Sequence, residues 1–238
     1  MKLIPLPAPD FWDFAANTCK TCLLTDDGSA TTTQVAQCLI NQGWQVGVLS
    51  FPDFLIPSRP SLPSTVQRFT LTHLSEEHLQ EQLSNVVETY GLIGNFIHLH
   101  PLHDVLPHQG HTRVNPNKAI VKQVFLLAKH LKSSLHQAAS QGRACFLTLA
   151  HLDGEFGLSG NQEFSPISGG LFGLTKTLNL EWQSVFCRSL DISPDLDEGT
   201  TAQIILAELH DPNTLIQEVG YTPKGRVTLD CELAPLTI

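Results

Sequence analysis

From residue 21 onward the chain alternates short, apolar, β-prone runs with longer runs of helical periodicity. A period near 2 marks a strand and a period near 3.6 marks a helix. The pattern predicts strands over 21–25, 45–51, 65–71, 92–100, 143–152, 185–193, 215–222 and 225–233. Between them it predicts helices over 31–43, 75–91, 118–142, 168–182 and 199–211. Ser75 fits an N-cap with acids in the first turn behind it, and Gly142 fits a helix stop. Strict β-α alternation of this kind gives an α/β fold, with a mostly parallel sheet and helices on both faces.

Parallel crossovers are right-handed, so the layout expected is doubly wound and Rossmann-like. Residues 1–18, rich in proline, read as a lead-in segment, and 19–238 as one domain. The loop at 52–64 resembles a linker but falls inside the sheet pattern. The net charge is −9, from 14 Lys plus Arg against 23 Asp plus Glu, and no contiguous basic run is present. That balance argues against nucleic acid or an anionic membrane as partner. The first 14 residues are broken by three prolines, and no apolar run approaches the roughly 20 residues of a span. The expectation is a cytoplasmic chain.

Two clusters invite a metal or redox reading. Cys19 and Cys22 form a single C-x-x-C in a β-prone run, and no second pair accompanies it. Free thiols are the better reading, because redox and zinc motifs need a helix N-terminus or a second pair. His98, His100, His103, His108 and His111, with Asp104, crowd one strand end and the loop after it. They lack the tight spacing of a zinc motif, so surface or fortuitous histidines are expected. A metal site and a pH-sensitive contact stay as alternatives.

In dinucleotide-binding folds the first β-α turn uses glycines, so that a pyrophosphate can approach the backbone at a helix N-terminus. Here the turn reads Thr25-Asp26-Asp27-Gly28-Ser29-Ala30-Thr31-Thr32-Thr33. Against the Thr-Gly-x-x-x-Gly-x-Gly spacing of short-chain dehydrogenases, the glycine positions hold Asp26, Ala30 and Thr32. Thr32 adds a branched side chain. Asp26 and Asp27 add negative charge, repelling a phosphate by ~1 kcal/mol at ~4 Å in water and ~4 kcal/mol at an effective dielectric of ~20. No cofactor is expected on this turn. Asp53, just after the second strand, stands near the position of a ribose-binding acid.

The helix "SGGLFGLTKTLNLEW", 168–182, carries Lys176 but holds Phe172 four residues earlier, where a Tyr-x-x-x-Lys pair would have its tyrosine. The tyrosine is the proton donor of that pair and the lysine lowers its pKa. Phe172 donates nothing, so both positions read as vestigial and Lys176 as a solvated surface lysine. Ser159 lies 13 residues before Phe172, in a loop rather than at a strand end.

Taken together, "LLTDDG" (23–28), "GNFIHLHPL" (94–102), "VFLLAKHLKSSL" (124–135), "GRACFLTLAHLDGEFGL" (142–158), "GGLFGLTKTLNLEWQSVFCRSLDI" (169–192) and "EVGYTPKGRVTL" (218–229) carry a resemblance. The chain resembles the structural, non-catalytic subdomain of the ketoreductase region in type I polyketide synthases and polyunsaturated fatty acid synthases. The resemblance implies a degenerate short-chain dehydrogenase fold without a cofactor or a catalytic residue of its own. It implies as partners a catalytic half holding NADPH and the other synthase domains. A diverged free-standing reductase is one alternative. The other is a pseudoenzyme docking module, with a homodimer through the 118–142 helix as one form of it.

Overall fold

A computed structural model of the chain describes residues 1–13, 19–102, 115–160 and 164–230. The strands are β1 (Lys2–Leu6), β2 (Thr21–Thr25), β3 (Gln45–Ser50), β4 (Gln67–Thr70), β5 (Asn95–Leu99), β6 (Cys145–Ala150), β7 (Phe186–Ile192), β8 (Glu218–Thr222) and β9 (Gly225–Asp230). The helices are α1 (Ala30–Asn41), α2 (Glu76–Tyr90), α3 (Pro116–Ala139), α4 (Gly170–Glu181) and α5 (Glu198–His210), with a 3-10 turn at Pro166–Gly169 before α4.

One sheet holds all nine strands in the order β1-β9-β8-β7-β6-β5-β2-β3-β4. From β4 to β8 every pairing is parallel, whereas β8, β9 and β1 pair antiparallel. The strand order reverses between β2 and β5, which is the switch point where such folds open a crevice. The central strands are buried along their whole length, as a sheet covered on both faces requires. On one face α2, α3 and α4 pack over Phe96, Phe146 and Leu23. On the other, α1 and α5 pack over Leu24, Ile97 and Leu147.

Ser75 caps α2 as expected, its Oγ accepting from the His78 N–H. Three features differ from the sequence reading. Residues 2–6 of the lead-in form β1, whose Pro5 is tolerated because among the described residues it is an edge strand. The long helix starts at Pro116 behind Asn115, whose side chain accepts from the Lys118 N–H, and it is capped at Ser140 before reaching Gly142. The loop at 52–64 is not a spacer, for Leu55 and Ile56 are buried in the core beside Phe51.

Under α5 lies a buried ionic cluster. Arg188 donates to Glu208 and to Asp211 Oδ2 (2.8 Å). Arg226 donates to Glu208 Oε1 (2.8 Å) and to Asp211 Oδ2 (2.7 Å), and Tyr221 Oη to Glu208 Oε1 (2.6 Å). Two cations and two anions balance there, tying α5 to β7, β8 and β9. Arg226 also donates to the Pro7 carbonyl (3.1 Å), which holds the chain just after β1.

Candidate functional site

The place to look is the carboxyl end of β2 and β5. The turn from β2 into α1 spends its own donors. Asp26, 1% exposed, is held by Arg68 of β4 and by Ser50 Oγ of β3 (2.8 Å). Its Oδ1 also accepts from the Gly28 N–H at 3.0 Å. Asp27 Oδ1 accepts from the Ser29 N–H (3.0 Å) and from Thr32 Oγ1 (2.6 Å), and its Oδ2 from Ser29 Oγ (2.6 Å). Ser29 Oγ in turn caps the Thr31 N–H. The N–H groups of Gly28, Ser29 and Thr31, which would face an anion at this helix N-terminus, already meet carboxylates and a hydroxyl of the same turn.

The loop at 52–64 closes over this turn. Gly28 has φ +80°, and a side chain added there would lie 2.6 Å from Ile56 and 3.2 Å from the Ser58 carbonyl. Thr33 Oγ1 donates to the Ser61 carbonyl (2.7 Å), and Arg68 Nη2 to the Pro60 carbonyl (2.6 Å). The expectation that Asp26 presents an unneutralised charge to a ligand is therefore corrected: its carboxylate points inward onto Arg68. Ala30, the first residue of α1, is exposed. Thr32 is fully buried against Asp27. Asp53 is exposed and paired with Arg59.

Of the histidine cluster, His103, Asp104, His108 and His111 lie outside the described residues. His98 and His100 are buried rather than on the surface, which corrects the reading of them. They form a chain: Thr25 Oγ1 lies 2.8 Å from His98 Nδ1, His98 Nε2 lies 3.3 Å from His100 Nδ1, and His100 Nε2 lies 3.3 Å from Asn117 Oδ1. Burial, with His100 alongside, holds His98 well below the usual histidine range. Burial likewise pushes His100 down to about 4, the Asn117 bond opposing and His151 adding to the shift. His151, whose Nδ1 bonds the Ile192 carbonyl (3.0 Å), is also pushed down by burial. All three imidazoles are neutral at neutral pH. Among the described residues no group of three or more His, Cys, Asp or Glu could hold a metal ion.

Around α4, Phe172 is buried and meets Phe156 edge-on, with ring centroids 5.9 Å apart. Lys176 lies on the surface as expected, with its side chain 45% exposed, and it reaches Glu218 of β8 at 2.9 Å. Ser159 lies in the loop after β6, its N–H donating to Asp153 Oδ2 (2.9 Å). That loop is organised by two carboxylates. Asp153 also accepts from the N–H groups of Glu155 and Gly157, and Asp191 from those of Leu152 and Phe156. Burial raises Asp191 to about 6 against those bonds; Asp153 is also opposed by burial, but its donors win and hold it below the usual range. Phe156 takes a left-handed φ of 60°, a strain the two clamps maintain.

Cys19 donates from Sγ to the Leu92 carbonyl (2.9 Å), and Cys22 is buried. Both are free thiols, as are Cys38, Cys145 and Cys187, and burial pushes Cys22 far up. Arg68, Ser50, His151 and Asp191 are absent from the sequence reading. None sits in a local motif; each acts through a partner distant in the chain.

No family model matches the chain. Over 225 residues it is 26% identical to a component of the polyunsaturated fatty acid synthase of Thraustochytrium sp., a match spanning 92% of this chain and 8% of that protein. Solved structures place the architecture. The chain resembles a 3-ketoacyl-(acyl-carrier-protein) reductase from Brucella melitensis complexed with NADH, with a TM-score of 0.62, 14% identity, and 85% and 95% of the two chains covered. A short chain dehydrogenase from Leptospira borgpetersenii with bound NAD+ gives 0.61 and 10% identity, covering 84% and 90%. The fold is that of the short-chain dehydrogenases. The chain is thus a short-chain-dehydrogenase-like, mostly parallel α/β domain, distantly related to one region of a polyunsaturated fatty acid synthase. Among the described residues no helix is long and apolar enough to cross a membrane.

Proposed function

We propose that this chain is the non-catalytic scaffold half of a β-ketoacyl reductase in a polyketide or polyunsaturated fatty acid synthase. It binds no nicotinamide nucleotide itself and packs against a catalytic half that holds NADPH. The observation that carries this reading is the self-filled turn. Asp26, Asp27, Ser29 and Thr32 accept from the N–H groups of Gly28, Ser29, Thr31 and Asp27, and Ile56 and Ser58 close over Gly28. Phe172, sealed against Phe156, and Lys176, drawn to Glu218, leave α4 without a proton donor or a lysine poised beside one. Similarity to part of a synthase supplies the context.

Calorimetric titration of NADPH into the purified chain tests the first half of the reading. No binding heat is expected, and saturable micromolar binding overturns it. Co-expression with an NADPH-binding reductase half tests the second. A stable complex whose reductase activity depends on this chain is expected. A reductase half equally active and stable alone removes the scaffold role.

A further inference from the structure

Half of the chain's lysines lie on one helix. Lys118, Lys122, Lys129 and Lys132 are all exposed on α3, which contains no Asp or Glu. Their spacing of four, seven and three residues places them within one narrow stripe, because 3.6 residues make a turn. Phe125 falls on the same stripe and is 56% exposed. The stripe runs about 21 Å along the helix at 1.5 Å per residue. Lys129 pairs with Glu76 of α2 at 2.7 Å; Lys118, Lys122 and Lys132 have no ion pair among the described residues. Beside it, between α2 and α3, an open groove of about 610 Å³ is lined by Leu83, Val87, Ile93 and Leu131, with His130 and Glu88 among its polar residues. Val87 there is 45% exposed.

We propose that the outer face of α3 is a docking surface for an acidic, amphipathic helix of another protein domain. Its carboxylates would face the lysines, and its apolar residues would cover Phe125 and enter the α2–α3 groove. The charge pattern selects this occupant. The rest of the molecule outweighs the stripe, since the net charge is −9, so an extended polyanion or an anionic bilayer would be repelled beyond the contact. Four cations over about 21 Å are also sparse against the one charge per ~1.7 Å of duplex DNA. A second copy docked helix to helix would set lysines against lysines. A partly exposed aromatic ringed by cations is instead the arrangement of a protein contact, with an apolar anchor and steering charges at the rim. The proposal does not depend on the scaffold reading, because it involves neither the β2–α1 turn nor α4.

The test uses the full chain and a labelled synthetic helix of about 18 residues, with glutamates at the matching spacing and leucine at the centre. Fluorescence anisotropy should show saturable binding that weakens steeply from roughly 50 to 300 mM salt. Lys122→Glu with Lys132→Glu should weaken it at least about tenfold and leave the melting temperature unchanged, as both side chains are solvated. A peptide with lysine in place of glutamate should bind that variant and not the wild type. Phe125→Ala should weaken binding without altering the salt dependence. The proposal fails if the peptide does not saturate, or if charge reversal leaves its affinity unchanged. It also fails if phosphatidylserine-containing vesicles or a DNA duplex displace the peptide.

Discussion

Two regions of this domain bury carboxylates against arginines, and they do so for different reasons. Under α5, Glu208 and Asp211 meet Arg188 and Arg226 in a balanced cluster deep between helix and sheet. At the β2–α1 turn, Asp26 meets a single arginine, Arg68, along with Ser50 Oγ and the Gly28 N–H, while Asp27 beside it is satisfied by neutral donors. The first cluster ties a helix to three strands, so it belongs to the fold. The second sits where folds of this type leave a crevice open, and its carboxylates occupy donors that an anionic ligand would otherwise use. One cluster builds the domain, and the other fills the β2–α1 turn with the turn's own side chains.

The sharpest break of this comparison is Glu208→Gln. It leaves two buried arginines with one carboxylate, and removing one partner of a buried pair costs about 3–5 kcal/mol. Urea unfolding should show a large fall in midpoint. A loss below about 1 kcal/mol would mean that water reaches the cluster and that it is not structural.

At the turn, the informative variant restores all three glycines together: Asp26→Gly, Ala30→Gly and Thr32→Gly. Stability should fall by about 3 kcal/mol, from the lost Asp26–Arg68 pair and from glycine inside α1. NADPH should still give no heat, because Ile56 and Ser58 remain over Gly28. If calorimetry instead shows binding, the substitutions alone had closed the site and the loop at 52–64 is only a bystander.

These two tests mark the limit of what the sequence makes legible. The alternation of periods gives the doubly wound sheet, because burial on both faces writes itself into local hydrophobicity. The departure from the glycine spacing is equally local, in Asp26, Ala30 and Thr32. What fills the turn is not local: Arg68 is 42 residues from Asp26, and Ser50 and Ile56 come from another strand and loop. The partners of His98 and His100, Thr25 and Asn117, are distant in the chain in the same way. β1 escapes because five half-exposed residues with a proline carry no clear period. The lysine stripe of α3 escapes a search for basic runs, since its charges are neighbours only once the helix is wound.

The histidine chain divides the two regions by pH. A histidine held below its ordinary pKa is neutral in the folded state, while the unfolded chain takes up a proton below about 6.5. Stability should therefore be flat above that pH. It should fall as pH drops toward about 4, by up to about 1.4 kcal/mol per pH unit for each such histidine. Asp191 opposes this: its carboxyl is raised to about 6, so its contribution is present at low pH and lost as pH rises through that value. His100→Gln isolates the histidine term. Melting curves of the variant between pH 7 and pH 4 should be shallower than those of the wild type. Identical slopes would mean that His100 is open to solvent in solution.

The smallest effect is expected where an enzyme would show the largest. Phe172→Tyr rebuilds the Tyr-x-x-x-Lys spelling, yet Phe172 is only 6% exposed and lies against Phe156. A hydroxyl placed there loses water and costs about 1 kcal/mol unless it finds a partner. Lys176 is engaged by Glu218 of β8 at 2.9 Å. A thioester reductase assay with NADPH should stay at background, and the melting temperature should shift by only a few degrees. Turnover in this variant would mean that α4 keeps a catalytic geometry after all and that the nucleotide reaches the carboxyl edge by a route other than the β2–α1 turn. The contrast between a region that builds and a region that fills its own turn would then fail at its second term, because the filled site would prove to be only one missing hydroxyl away from an open one.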